Sequence, residues 1–164
     1  MKNLIIFLLL SWICMANTCK RDDSENCHYA IIFSNNFTKD LYIRDTHYIS
    51  LYPFASEVGY FDNTVQERYK VRSGEQDNRD IIFSRHCFEV MFKDNEYYSG
   101  THIVYVFDAT VVENTSWEIV AGDYLVLKRY DLSLDDLKQL DWKITYPPTE
   151  AMKDVKQYPP YGSE

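Results

Sequence analysis

Leu4 to Met15, LIIFLLLSWICM, is an apolar run of twelve residues, and it decides which part of the chain is available to fold. A helix needs roughly 20 such residues to cross the hydrocarbon core of a bilayer, so this run is too short to span. Lys2 places a positive charge just ahead of it. A basic residue followed by a short apolar stretch is the pattern of a secretory signal. We therefore expect residues 1–18 to be removed, and the rest to fold outside the cytoplasm, where cysteines pair. A buried N-terminal helix is the competing reading, and the basic flank argues against it. No other stretch is apolar enough to span a membrane.

Two ends of the signal fit the rule that small residues precede the cut. Cys14 and Ala16 allow cleavage before Asn17, whereas Ala16 and Thr18 allow it before Cys19. Ala16-Asn17-Thr18-Cys19 resembles a loose bacterial lipobox, from which Asn17 and Thr18 depart. Ser11-Trp12-Ile13-Cys14 fits less well, because Trp12 and Ile13 are large at the cleavage positions. Cysteine parity favours Cys19. Of the 4 cysteines, Cys14 leaves with the signal, and Cys19, Cys27 and Cys87 remain. If Cys19 carries lipid, the other two form a pair and no thiol is left over. Several acyl chains on one cysteine give a durable membrane anchor.

Lys20 to Glu25 (KRDDSE) reads as a solvated tether, so we assign 19–26 to it. The tether also resembles the Lys-then-acidic signal with which Bacteroidetes lipoproteins reach the outer face of the outer membrane. That resemblance implies an outer-membrane, lipid-anchored protein, with surface display preferred over periplasmic residence. The charge of the tether does not itself choose a face.

The body of the chain reads as strands. Aromatic residues make up 16% of the sequence and glycine and proline number only 5 each, which excludes a disordered or collagenous chain. The formal charge of −8, with 17 basic against 25 acidic residues, excludes a phosphate-backbone binder, so no nucleic-acid partner is expected. Cys27 to Ser34 is β-rich and stops at the turn pair Asn35-Asn36. Leu41–Arg44 and Tyr69–Arg72 read as further strands, with an irregular connection over 46–64. Residues 81–92 suit both periods, and the Phe88/Phe92 spacing tips them toward helix. Ile103-Val104-Tyr105-Val106-Phe107 is short, β-branched and aromatic, the pattern of a central strand buried on both faces. Thr115 and Glu118 have capping-box spacing, and Gly122 stops the helix they predict. Residues 124–130 alternate into a strand. Ser133, with Asp135 and Asp136 after it, opens a second helix. Trp142–Tyr146 is the last strand. Tyr146-Pro147-Pro148 recurs as Tyr158-Pro159-Pro160, which we read as polyproline turns on a surface tail.

The expected architecture is a mainly β domain over 27–148, an antiparallel β-sandwich or sheet with two or three short helical insertions. A C-terminal tail over 149–164 follows it.

Several segments carry a wider resemblance: Cys27-His28-Tyr29, Ile32 to Asn36, Arg85 to Glu89, Val106 to Ala109, and above all Leu125 to Leu134 running on to Tyr146-Pro147-Pro148. Through them the chain resembles a group of small Bacteroidetes lipoproteins. The resemblance implies the address and the rough fold, and no activity.

The candidate sites follow. Cys27 and Cys87 are expected to form a disulfide, by compartment and parity. His28 and His86 flank them, so a zinc site of two thiolates and two imidazoles is the sharper alternative. Adjacent Cys-His pairs do not easily share one ion, and no metal or cofactor is expected. His47 and His102 read as ordinary strand or loop residues. No nucleophile motif or phosphate loop is present, and the acids Asp135 and Asp136 suit a helix start, so no catalytic residue is assigned. Tyr97-Tyr98, Trp117 and Trp142 suit either the core or a binding surface. The expected role is a non-catalytic binding or structural module of the cell envelope, with the membrane and a glycan or envelope protein as partners. The runner-up is a glycan-handling accessory protein or weak hydrolase.

Overall fold

The computed structural model describes residues 27–46, 66–93 and 100–163. The signal at 1–18, the tether with Cys19, the connection over 47–65 with His47, and Tyr97-Tyr98 lie outside the described residues. Within them, the domain is mainly β, as expected. Eight strands form two sheets, joined by short helices.

The first sheet places β1 (Ala30–Asn35) between β4 (Asn78–Phe83) and β7 (Lys143–Tyr146). β4 runs antiparallel to β1 and β7 runs parallel to it. The second sheet has the order β3 (Lys70–Val71), β2 (Leu41–Thr46), β5 (His102–Asp108), β6 (Lys128–Leu132), β8 (Lys156–Tyr158), all antiparallel. Ile31, Phe33, Ile82 and Ile144 of the first sheet share one core with Leu41, Ile43, Val104, Val106, Tyr130 and Leu132 of the second. Ile103, Tyr105 and Phe107 point to the other face of β5. There they cluster with Tyr42 and with Val112 and Val120 of two helices, α2 (Ala109–Asn114) and α3 (Trp117–Gly122). Both faces of β5 are therefore covered. A strand in that position does not alternate, which accounts for its continuous apolar run.

The turn after β1 forms around Asn35, whose side chain is fully buried. Its Nδ2 donates to the carbonyls of Lys39 and Val71, and its Oδ1 accepts the Phe37 N–H. One amide thus ties the β1–β2 loop to β3. The last helix, α4 (Leu134–Gln139), opens on a complete capping box. Asp136 N donates to Ser133 Oγ, and Ser133 N donates to the Asp136 carboxylate.

The chain departs from expectation in four places, the first being the strand read over 124–130, which begins only at Lys128 and runs to Leu132. Residues 81–92 divide: Ile81–Phe83 end β4, and only Phe88–Met91 are helical (α1). The two periods read in that stretch belong to two elements. Ala109–Asn114, for which the sequence set no expectation, is a helix although Val111 and Val112 favour strands, because Asp108 caps it and Val112 is buried. Thr115 makes no cap for α3; Ser116 is its N-cap, and makes no side-chain hydrogen bond there. The tail is not a tail. Residues 150–158 form a 3₁₀ turn and β8, with Met152 and Val155 in the core and Gln157 buried. Two apolar anchors and one strand pairing bring 149–163 into the domain that was expected to stop at 148.

Candidate functional site

The cysteine pair, one histidine and one tryptophan meet at one corner of the domain. Cys27 and His28 lead into β1, Cys87 is the N-cap of α1, and Trp142 lies between α4 and β7. Cys27 and Cys87 are joined by a disulfide across 60 residues of sequence, with their Cα atoms 5.4 Å apart. It fixes the start of β1 to α1, whose Phe88 is buried in the core.

Glu89 reinforces this junction. Its carboxylate accepts the backbone N–H of His28 at 2.9 Å and His28 Nδ1 at 2.5 Å. The carboxylate is mostly buried, while almost half of the His28 side chain is exposed. His28 in turn stacks on Trp142, with ring centroids 4.2 Å apart and planes 14° from parallel. Phe88 packs against the same indole at 5.7 Å. Trp142 reaches this position through two successive left-handed residues, Asp141 at φ 51° and Trp142 at φ 60°. Each costs of order 1 kcal/mol for a residue with a side chain. They turn the chain sharply from α4 into β7 and put the indole in the core at 4% exposure.

A groove of about 520 Å³ opens beside the disulfide, lined by His28, Glu89, Val90, Lys93, Leu134 and Lys138 among others. A second hollow of about 380 Å³ lies along Tyr29, Ile32, Asp141 and Lys143. The His28–Trp142 stack contributes to the lining of both. Val90 is about half exposed, so the larger groove presents apolar surface to solvent. Lys93 and Lys138 are exposed on its wall and make no ion pair among the described residues. Among the described residues, the groove thus sets two cations against the one carboxylate of Glu89, in a chain whose formal charge is −8.

The other buried or shifted charges are committed elsewhere. Burial pushes the Asp108 carboxyl up, but Lys39 at 2.6 Å and the Thr110 N–H outweigh it and hold its pKa below the ordinary value. Burial, with Glu113 beside the hydroxyl, pushes the Tyr42 phenol up to about 12. Glu113 also pairs with Lys70 at 2.8 Å, which raises the lysine. Asp131 is bridged by Arg129 and Lys156. His102 is buried, with Nε2 3.0 Å from Asp45 Oδ2 and its ring edge-on to Phe88.

Of the residues singled out in the sequence, Cys27 and Cys87 come together, and His28 joins them. His86 is exposed on the turn before α1, and its backbone N–H donates to Ser84 Oγ. Trp117 packs edge-on to Phe107 beside the α2–α3 cluster, so it serves the core. Asp136 is taken by the capping box. Sequence reasoning passed over Glu89, Lys93 and Lys138. The one available signal was the Cys87-x-Glu89 spacing, which places a carboxylate on the first turn after the cysteine. The donor atoms of Cys27, Cys87 and Glu89 all lie within 4.8 Å of one another. With both sulfurs in the disulfide, neither is a thiolate ligand.

Fold and corner together define a mainly β domain whose first strand is tied by a disulfide beside a groove lined in part by Lys93 and Lys138. No protein-family model, curated protein or solved structure matches the chain.

Proposed function

We propose that the chain is a cell-envelope lipoprotein, anchored in the outer membrane through lipidated Cys19, whose β domain binds rather than catalyses. The basic-then-apolar start and the parity of the cysteines support export, and the disulfide between Cys27 and Cys87 is in keeping with an oxidising compartment. The observation that carries the binding role is the groove, whose lining joins apolar Val90 and Leu134 with Lys93 and Lys138, two cations that make no ion pair among the described residues. Ligand sites combine apolar lining with a few convergent polar groups in this way. The ligand class that fits is an acidic glycan of an envelope or a neighbouring cell, its carboxylate between Lys93 and Lys138. A neutral glycan leaves both lysines unused. Glu89, the carboxylate among the described residues that line the groove, is held by His28 through two hydrogen bonds.

A glycan array probed with the purified protein tests this. Acidic saccharides should bind, neutral ones should not, and binding should weaken as salt rises. The Lys93→Ala/Lys138→Ala protein should lose at least about tenfold in affinity, since each cation contributes on the order of 1 kcal/mol. Equal binding of neutral sugars, or an unchanged double variant, refutes the assignment.

A further inference from the structure

We propose that the disulfide corner is the oxidised form of a metal site. In the reduced protein, Cys27, Cys87 and Glu89 take one zinc or similar soft divalent cation, and His28 positions the carboxylate. The inference is independent of glycan binding.

Three observations carry it. First, the two sulfurs and a Glu89 oxygen already lie within 4.8 Å of one another. Two sulfurs bound at about 2.3 Å in tetrahedral geometry sit about 3.8 Å apart. The Cys27 and Cys87 Cα atoms, 5.4 Å apart, leave that separation within reach of side-chain rotation once the bond opens. Second, Glu89 Oε2 lies 3.2 Å from Cys87 Sγ. A disulfide sulfur carries no hydrogen to donate, so in the oxidised protein this is a bare contact between two electron-rich atoms. A cation between them would turn it into shared coordination. Third, the carboxylate is already oriented by the His28 N–H and Nδ1. That is the outer-shell support that metal-binding carboxylates have, and its loss typically costs 10–100-fold in affinity. The groove beside Cys87 and Glu89 gives the ion an entry path and room for water as fourth ligand. Two thiolates and a carboxylate carry one negative charge more than the dication neutralises, and Lys93 and Lys138 on the groove wall complement it.

The redox step balances with a dithiol reductant. The reductant gives up two electrons and two protons as it closes its own disulfide, and the Cys27–Cys87 bond opens to two thiols. Metal binding then displaces the two thiol protons. Oxidation reverses the sequence and expels the ion, so the corner reports thiol redox state through metal occupancy.

The test uses the mature protein recovered from membranes in detergent, in which Cys27 and Cys87 are the thiols released on reduction; it is reduced with a phosphine, stripped with a chelator, desalted without oxygen and titrated with Co²⁺. The expected result is one equivalent bound, with sulfur-to-cobalt charge-transfer absorption and the strong visible bands of tetrahedral coordination, both erased by Zn²⁺. The oxidised protein should give neither. Glu89→Gln should weaken binding at least about tenfold while its far-UV spectrum stays unchanged. A second measurement is independent of cobalt: Zn²⁺ should slow reoxidation of the two thiols more than about tenfold in the parent and much less in Glu89→Gln. Two titratable thiols without cobalt bands, equal binding by the oxidised protein, or reoxidation indifferent to zinc each overturn the proposal.

Discussion

Replacing both Cys27 and Cys87 by alanine measures how much of the domain's stability the cross-link supplies. The double variant is preferable to either single one, which would leave a free thiol able to pair between molecules. The bond closes a loop of 60 residues. For a loop of that length, the chain-entropy account gives about 14 cal/mol/K, or about 4 kcal/mol at 25 °C. Cys87 is 5% exposed, so its truncation also removes one buried heavy atom. Glu89 continues to hold His28 in the variant, and Phe88 continues to anchor α1 in the core, so the native state should remain recognisable. The expected loss is about 3–5 kcal/mol. With a urea slope of about 2 kcal/mol per molar, the unfolding midpoint should fall by about 2 M. Urea unfolding followed by tryptophan fluorescence reads this directly, because Trp142 stacks on His28 at the same corner. A loss below about 1 kcal/mol with an unchanged slope would refute the reasoning, since the open chain would then gain little freedom from the break.

Two further perturbations test the fold. Met152→Ala should cost about 2–5 kcal/mol in the same urea assay, because Met152 is 1% exposed in the main core; a loss under 0.5 kcal/mol would return 149–163 to the status of a surface tail. Asp108→Asn preserves a side chain that can cap α2 but removes the charge facing Lys39, so at pH 7 it should cost about 0.5–1 kcal/mol. The pKa of Asp108 is depressed in the folded state. Its contribution is therefore complete above the unfolded value, near 3.9, and is lost as pH falls through the lower folded value. The gap between parent and variant should close as the pH falls through the lowered value of the folded state, and a gap independent of pH would contradict the assigned ion pair.

What the sequence revealed followed the range over which each signal acts. The buried strand Ile103–Phe107 was legible because burial on both faces leaves no polar alternation in the run itself. The α4 cap was legible because Ser133 and Asp136 are three residues apart. The cysteine pair was legible from parity, which needs no geometry. Contacts between distant residues were not. His28 and Glu89 are 61 positions apart, and nothing local to either announces that one carboxylate takes two hydrogen bonds from the other residue. Trp142 was read as the start of a strand. Its left-handed backbone, which turns the indole under His28, is imposed by tertiary packing against the residue's own preference. The tail from 149 onward read as polar and proline-bounded, yet Met152 and Val155 lie inside a core that other strands built. Ala109–Asn114 shows the same override in a helix, where a cap and one buried valine outweigh β-branched propensity.

The mature N-terminus tests the account most directly. Mass spectrometry of the protein recovered from membranes should find a chain that begins at Cys19, carries acyl groups on that cysteine and links Cys27 to Cys87. The Cys19→Ala protein should leave the detergent phase. A mature chain beginning at Asn17, or a Cys19→Ala protein that still partitions with detergent, would contradict the lipid anchor.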